Sequence, residues 1–292
     1  MHVRTAVESD LADLVALAGR CQATVERRIP YLDLDPAVLS VEVSDTEPEA
    51  WWERTAVAVH DQRVVGWMLA DIDTEMGRTW WNGPFVDPAI SDTEAADVAD
   101  SLYDSFVDRT AQEEICFDPA AAMLAAFAER HGFRIDPGSA ALWCELPAAG
   151  ARGNAAVRPL DSAADRHAVA DLHDRLFPGT HTGGSRLASG QDDDRQTLGL
   201  FDGEALIGYI SVELEPGGSR YIDYVGVEPA HQRSGRGMAL IADALDRAAA
   251  DGATRIHLTV RLANTAARRI YEHLGFVEEM QIIPARKGFV LL

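Results

Sequence analysis

The chain predicts a mixed α/β fold built twice, as two tandem domains that are each a twisted mixed β-sheet flanked by helices. Three observations predict it. At 292 residues the chain exceeds one ordinary small domain and suits two of about 140 to 150 residues. Strand-like and helix-like apolar patterns alternate along each half. The second half also repeats the first at a nearly constant offset, and such self-similarity takes precedence over single motifs.

The elements follow in order. VRTAVESDLADLVAL from Val3 and VRPLDSAADRHAVADL from Val157 each read as a short strand and an amphipathic helix with Asp, Ser or Thr near its start. AVAVHDQRVVGWMLADID (56–73) and LGLFDGEALIGYISVELE (198–215) each read as strand, polar turn and strand, with turns at Asp61 and Asp202–Gly203. PFVDPA (84–89) then matches VGVEPA (225–230), and ICF (115–117) matches IHL (256–258). Val86 to Val227 and Ile115 to Ile256 are both shifts of 141 positions. AERHGF (128–133) matches YEHLGF (271–276) at 143, which implies a two-residue deletion in the first copy. The predicted domains are 1–146 and 155–292, joined by the small-residue linker PAAGARGN (147–154), with a mobile loop at 179–195.

Composition narrows the function classes. Hydrophobic residues make up 47% and charged residues 25%, and no apolar run approaches the ~20 residues of a membrane helix. The formal net charge of −21 repels nucleic-acid phosphates and acidic membranes and favours a cationic small-molecule partner. Cys21, Cys116 and Cys144 are isolated, so they read as packed thiols in a reducing compartment, with no metal site. The opening MHVRTAVESD lacks a basic and apolar leader, and the expectation is a cytoplasmic protein.

The most informative segment is RYIDYVGVEPAHQRSGRGMALIADALDRAAADG, from Arg220 to Gly252. A β-rich run ends at Val227, Pro229 marks a turn, and an Ala/Leu-rich helix follows from about Gly237. Between them stand Gln232, Arg233, Ser234, Gly235, Arg236 and Gly237. Glycines let backbone N–H groups approach a bulky anion at a helix N-terminus, and the arginines add charge-assisted donors. The pattern therefore points to a diphosphate cradle.

This Q-x-x-G-x-G segment resembles the cofactor-binding motif of the GNAT superfamily of N-acyltransferases. The resemblance implies that the loop backbone holds the pyrophosphate of acetyl-CoA. It also implies that Val225 and Val227 offer backbone groups to the pantetheine arm and acyl carbonyl. A second signature, N-x-x-A-x-x-x-Y-x-x-L-G-F from Asn264 to Phe276, is similar to the family's later motif. It implies that Asn264 contacts the cofactor arm and that Tyr271 protonates the departing thiolate, a task suited to a phenol that stays protonated at neutral pH. The resemblance covers residues 155–292.

The first copy has shed these features. Across the repeat Gln232 aligns with Ser91, Gly235 with Glu94 and Gly237 with Ala96; Tyr271 aligns with Ala128 and Asn264 with Ala121. Asp92 and Glu94 repel a diphosphate, so this copy is expected to keep the fold without coenzyme A. All six tryptophans lie within it. The adjacent pair Trp80–Trp81 places one ring on each strand face.

The resemblance implies direct transfer from acetyl-CoA to the primary amine of a small molecule in a ternary complex, with no metal. A base must take the ammonium proton. Asp223 is the leading candidate because it shares simple strand parity with Val225, as does Tyr221, which could line the pocket. Glu213, Glu215, His181 and a water chain are alternatives. The tandem arrangement also resembles mycothiol synthase, and from another class a non-catalytic acyl-CoA sensor or scaffold stays open. A sensor has no need of Tyr271, which favours the enzyme.

Overall fold

The structure is a computed structural model of the 292-residue chain. It describes residues 1–30, 32, 36–44, 50–74, 77–107, 109–148, 156–180, 182–189, 194–215 and 218–289. Most of the expected linker 147–154, part of the expected loop 179–195 and the candidate base His181 lie outside the described residues.

The first copy runs β1 (His2–Thr5), α1 (Leu11–Gln22), α2 (Pro36–Ser44), β2 (Thr55–His60), β3 (Arg63–Asp73), β4 (Arg78–Val86), α3 (Asp92–Asp104), β5 (Gln112–Phe117), α4 (Ala122–Arg130), β6 (Arg134–Ile135) and β7 (Ser139–Glu145). The second runs β8 (Val157–Pro159), α5 (Ala163–Leu176), α6 (Gly184–Ala188), β9 (Arg195–Asp202), β10 (Ala205–Leu214), β11 (Ser219–Val227), α7 (Arg236–Ala250), β12 (Arg255–Arg261), α8 (Thr265–His273) and β13 (Val277–Lys287). The duplication read from the sequence thus reappears in the same element order, except that β6 has no counterpart among the described elements of the second copy.

The chain divides into two compact units: Met1–Ser139 with Met280–Leu292, and Ala140–Glu279. This division differs from the sequence border at 147–154. The copies trade their last strands. Most of β13 belongs to the first unit, where Ile283–Lys287 pair antiparallel with Glu113–Phe117 of β5, while β7 lies beside β12 in the second. Strand exchange is decided by long-range pairing, which local patterning does not encode. Trp143, on β7, accordingly sits in the second unit under the Arg255 guanidinium, 4.6 Å from the ring centroid.

In the first unit the strand order is β1-β2-β3-β4-β5-β13. Its β2–β3 turn has Asp61 and Gln62 both at positive φ, the geometry a two-residue hairpin requires. Trp67 is fully buried, stacks on Phe85 at 4.5 Å and donates Nε1–H to the Leu14 carbonyl. Trp81 is buried and donates to Glu113, while Trp80 is half-buried beneath Arg78. The adjacent rings therefore do face opposite ways.

In the second unit the order is β7-β12-β11-β10-β9-β8, with β11 and β12 parallel. One face of this sheet packs Ile210, Val212 and Ile222 against α7 and α8 through Leu240, Leu245 and Tyr271. The other packs Tyr209 and Tyr224 against α5 and α6 through Val169, Leu172 and Leu187. Each fully buried Leu or Ile contributes about 1.5–3 kcal/mol, so two-sided burial fixes the register of β10 and β11. Gly226 is required in the middle of β11: a Cβ there would lie 2.3 Å from the Tyr209 ring. None of the described helices is long and apolar enough to cross a membrane.

Candidate active site

Two features of the second unit converge at the C-terminal end of β11. The first is a fork. β11 pairs with β12 only from Ser219↔Arg255 to Ile222↔Leu258, and beyond that point the strands part. Glu228 N–H donates to Ile207 of the β10 side at 2.9 Å. By strand alternation the backbone groups of Val225 and Val227 point the other way, into the fork. Gln232 Nε2 reaches the Val227 carbonyl at 3.0 Å, in line with that direction.

The second feature is the N-terminus of α7. Its N-cap, Gly235, is left-handed at φ 79° and offers no side-chain cap, and the first turn holds no acidic residue. The first intrahelical bond is Ala239 N–H to the Gly235 carbonyl at 3.0 Å. The N–H groups of Arg236, Gly237 and Met238 therefore have no helical acceptor. Arg233, also at positive φ, and Arg236 flank them. Three open donors, a positive dipole end and two guanidiniums are the groups that an anion cradle requires. Ser234 and Gln232 brace the loop, since Ser234 Oγ donates to the His231 carbonyl at 2.5 Å. Where an ideal Cβ is built on Gly237 it meets open space.

Comparison with known proteins bears on the same stretch. Residues 166–276, which contain the fork, the cradle and α8, match the model of the Acetyltransferase (GNAT) family. The second half belongs to the GNAT acetyltransferase family. A mycothiol acetyltransferase of Kocuria rhizophila is 29% identical over 139 residues, 41% of this chain and 45% of that protein. The match thus spans under half the length of that curated relative. A GCN5-related N-acetyltransferase from Sphaerobacter thermophilus has the same fold across 98% of this chain and 95% of its own, with a TM-score of 0.74 at 17% identity. A tandem GNAT protein from the clavulanic acid biosynthesis pathway covers both chains fully at a TM-score of 0.60 and 15% identity. The fold of the whole chain is therefore a tandem GNAT fold.

Tyr271 lies on α8 of the GNAT unit, buried, with its ring edge-on to Phe276 at 5.5 Å. Burial, with Tyr221 nearby, pushes its hydroxyl up to about 12, so it is protonated at neutral pH. Its hydroxyl has no hydrogen-bond partner among the described residues, which leaves it available as a donor. Asn264 has a structural task as well: it caps α8, its Oδ1 accepting from Ala267 N–H at 3.2 Å.

Asp223 sits elsewhere than parity suggested. Tyr221 pairs with Glu213, Ile222 with Val212, Tyr224 with Ser211 and Val225 with Ile210. Asp223 is thus the extra residue of a β-bulge, which reverses the alternation. Val225 packs on the α7 side, whereas Asp223 turns to the opposite face and meets Arg195 at 2.7 Å with 5% of its side chain exposed. Arg195 also holds Ser211 at 3.0 Å and pairs with Glu213. Both carboxylates are thereby bound to a guanidinium.

Glu215 is engaged too, at 2.7 Å from His257 Nε2. Burial pushes its carboxyl up, but the hydrogen bonds from His257 and Ser219 and the His257 charge outweigh it and hold the carboxyl below its ordinary range. His257 pairs with Tyr221 across the last bonded part of the fork, their rings 5.1 Å apart. Sequence reasoning missed this histidine because its partner lies 42 positions away. Behind the bulge, buried His173 donates Nε2–H to the Thr182 carbonyl at 2.9 Å and accepts from Tyr209 at 2.7 Å. It ties the segment before α6 to the sheet.

The first unit repeats the architecture with opposite chemistry. β4 and β5 pair from Arg78↔Gln112 to Trp81↔Ile115 and then part. The residue aligned with Val225 is Pro84, which has no N–H to offer. At α3 the N-cap Ser91 and Glu94 close a reciprocal capping box. Ser91 Oγ accepts from Glu94 N–H at 3.3 Å while Glu94 Oε2 accepts from Ser91 N–H at 3.2 Å. Asp92 adds a second carboxylate, paired with Arg27 at 2.8 Å. Helix donors and charge are already committed there. All three cysteines are buried and unbridged.

Proposed function

We propose that the second unit is an acetyl-CoA-dependent N-acetyltransferase that acts on the primary amine of a small molecule by direct transfer in a ternary complex. The observation that carries this reading is the uncapped, acid-free N-terminus of α7 at the mouth of the β11–β12 fork. The cradle binds the diphosphate of the donor. The fork-facing groups of Val225 and Val227 orient the pantetheine arm, and one N–H there stabilises the developing oxyanion. The amine attacks the thioester carbonyl, the C–S bond breaks, and Tyr271 donates its proton to the sulfur. Because Asp223 and Glu213 are held by Arg195, the amine proton leaves through water or the Glu215–His257 pair.

The test is release of free thiol from acetyl-CoA across a panel of primary amines. Turnover that is lost in both Tyr271→Phe and Gly237→Glu supports the reading. Binding of acetyl-CoA without turnover on any amine would favour an acyl-CoA sensor. A second reading, mycothiol formation, is favoured by the Kocuria rhizophila relative. Thiol labelling of cells that lack the gene separates it: unchanged mycothiol removes that reading.

A further inference from the structure

The face of the GNAT unit that carries Asp223 also holds a cavity of ≈ 210 Å³, lined by Leu160, Arg166, Arg186, Leu187, Arg195 and Thr197 among others. Three arginines line it, and among the described residues that line it none is acidic, although the chain as a whole carries −21 charges. Arg195 is neutralised from behind by Asp223 and Glu213. Arg166 is different. It spends one N–H on the Leu160 carbonyl at 3.0 Å and has no carboxylate partner among the described residues, so most of its donor fork is left for a ligand. Guanidiniums suit carboxylate and phosphate oxygens because they can bind them in pairs.

We infer that this cavity is a subsite for an oxyanion group, a carboxylate or phosphate, carried by the acceptor amine. The inference rests on the acetyltransferase reading of the same unit. Arg195 reaches from β9 across β10 to Asp223 on β11, a span of two strand spacings or roughly 10 Å. An acceptor anchored here by its anion presents an amine about that far away, toward the fork. The substrate class is then an anion-bearing primary amine, such as an amino acid or a phosphorylated amino sugar, in place of the cationic acceptor that net charge alone suggests.

Titration of inorganic phosphate by calorimetry into the full chain tests the cavity without relying on turnover. The proposal expects two phosphate sites: one weakened at least tenfold by Arg166→Gln/Arg186→Gln, the other lost in Gly237→Glu. Phosphate bound only at the cradle, or as tightly by the arginine variant as by wild type, overturns the subsite and leaves the acetyltransferase reading standing. A second arm compares two primary amines that differ only by a carboxylate and its amide. Wild type should favour the carboxylate about tenfold through KM, and Arg166→Glu should reverse the order. Phosphate binding that follows the arginines with no preference between the amines would overturn the acceptor assignment.

Discussion

The N-termini of α3 and α7 occupy the same place in the repeated fold and meet an anion in opposite ways. α7 begins at a left-handed glycine with no cap and no acid, flanked by arginines. α3 begins at a serine whose capping box, together with Asp92, fills the same space with the protein's own carboxylates. The fold is indifferent to the choice, since each helix links the two strands of a parallel pair. A few residues convert an open helix N-terminus into a self-satisfied one, and Pro84 in place of Val225 removes the strand's donor as well. The difference separates what the fold needs from what the chemistry needs.

The comparison can be broken first at the cradle. Gly237→Glu places a carboxylate among the open N–H groups without a steric clash, so acetyl-CoA affinity should fall on the order of 100-fold, about 3 kcal/mol, by calorimetry. The acid also complements the helix dipole, so the melting temperature should hold; a variant that simply unfolds would show the glycine to be structural. Tyr271→Phe should lower kcat by about 100-fold or more with near-normal acetyl-CoA binding. Unchanged kcat would remove the tyrosine from the proton transfer.

Smaller effects sharpen the account of the other side chains. Asp223→Asn leaves the largely buried Arg195 short of a partner, and denaturant titration should show a loss of about 3 kcal/mol. Normal stability with lost activity would instead restore Asp223 as the base. Ser91→Ala should cost about 1 kcal/mol through the broken cap of α3, with acetyl-CoA binding unchanged. Glu215 has a lowered folded pKa, so its stabilising contribution is full above the ordinary glutamate range and fades as pH falls through the folded value. Glu215→Gln should therefore flatten the acid limb of a stability–pH profile, and an identical limb would mean that the His257 contact carries no energy.

Much of this was legible beforehand. The constant 141-position shift announced the duplication, and the glycine-rich turn after a β-run marked the uncapped start of α7, because both are written in short contiguous segments. The loss of Gly235, Gly237 and Tyr271 in the first copy followed by alignment. Pro84 was equally visible, yet its missing N–H matters only once the strand is known to face a fork. The bulge at Asp223 was not legible, because its register is settled by bonds across β10. The Arg195 link and the exchange of β7 and β13 join residues far apart in the chain. Such pairings come from the sheet as a whole, and no local period reports them.

The most direct test of the central contrast is the stoichiometry of acetyl-CoA binding to the intact chain by calorimetry, repeated with Gly237→Glu. One site per chain, abolished by the substitution, is the predicted result. Two sites in the wild type, or one site that survives Gly237→Glu, would mean that the α3 end of the first unit binds the donor after all.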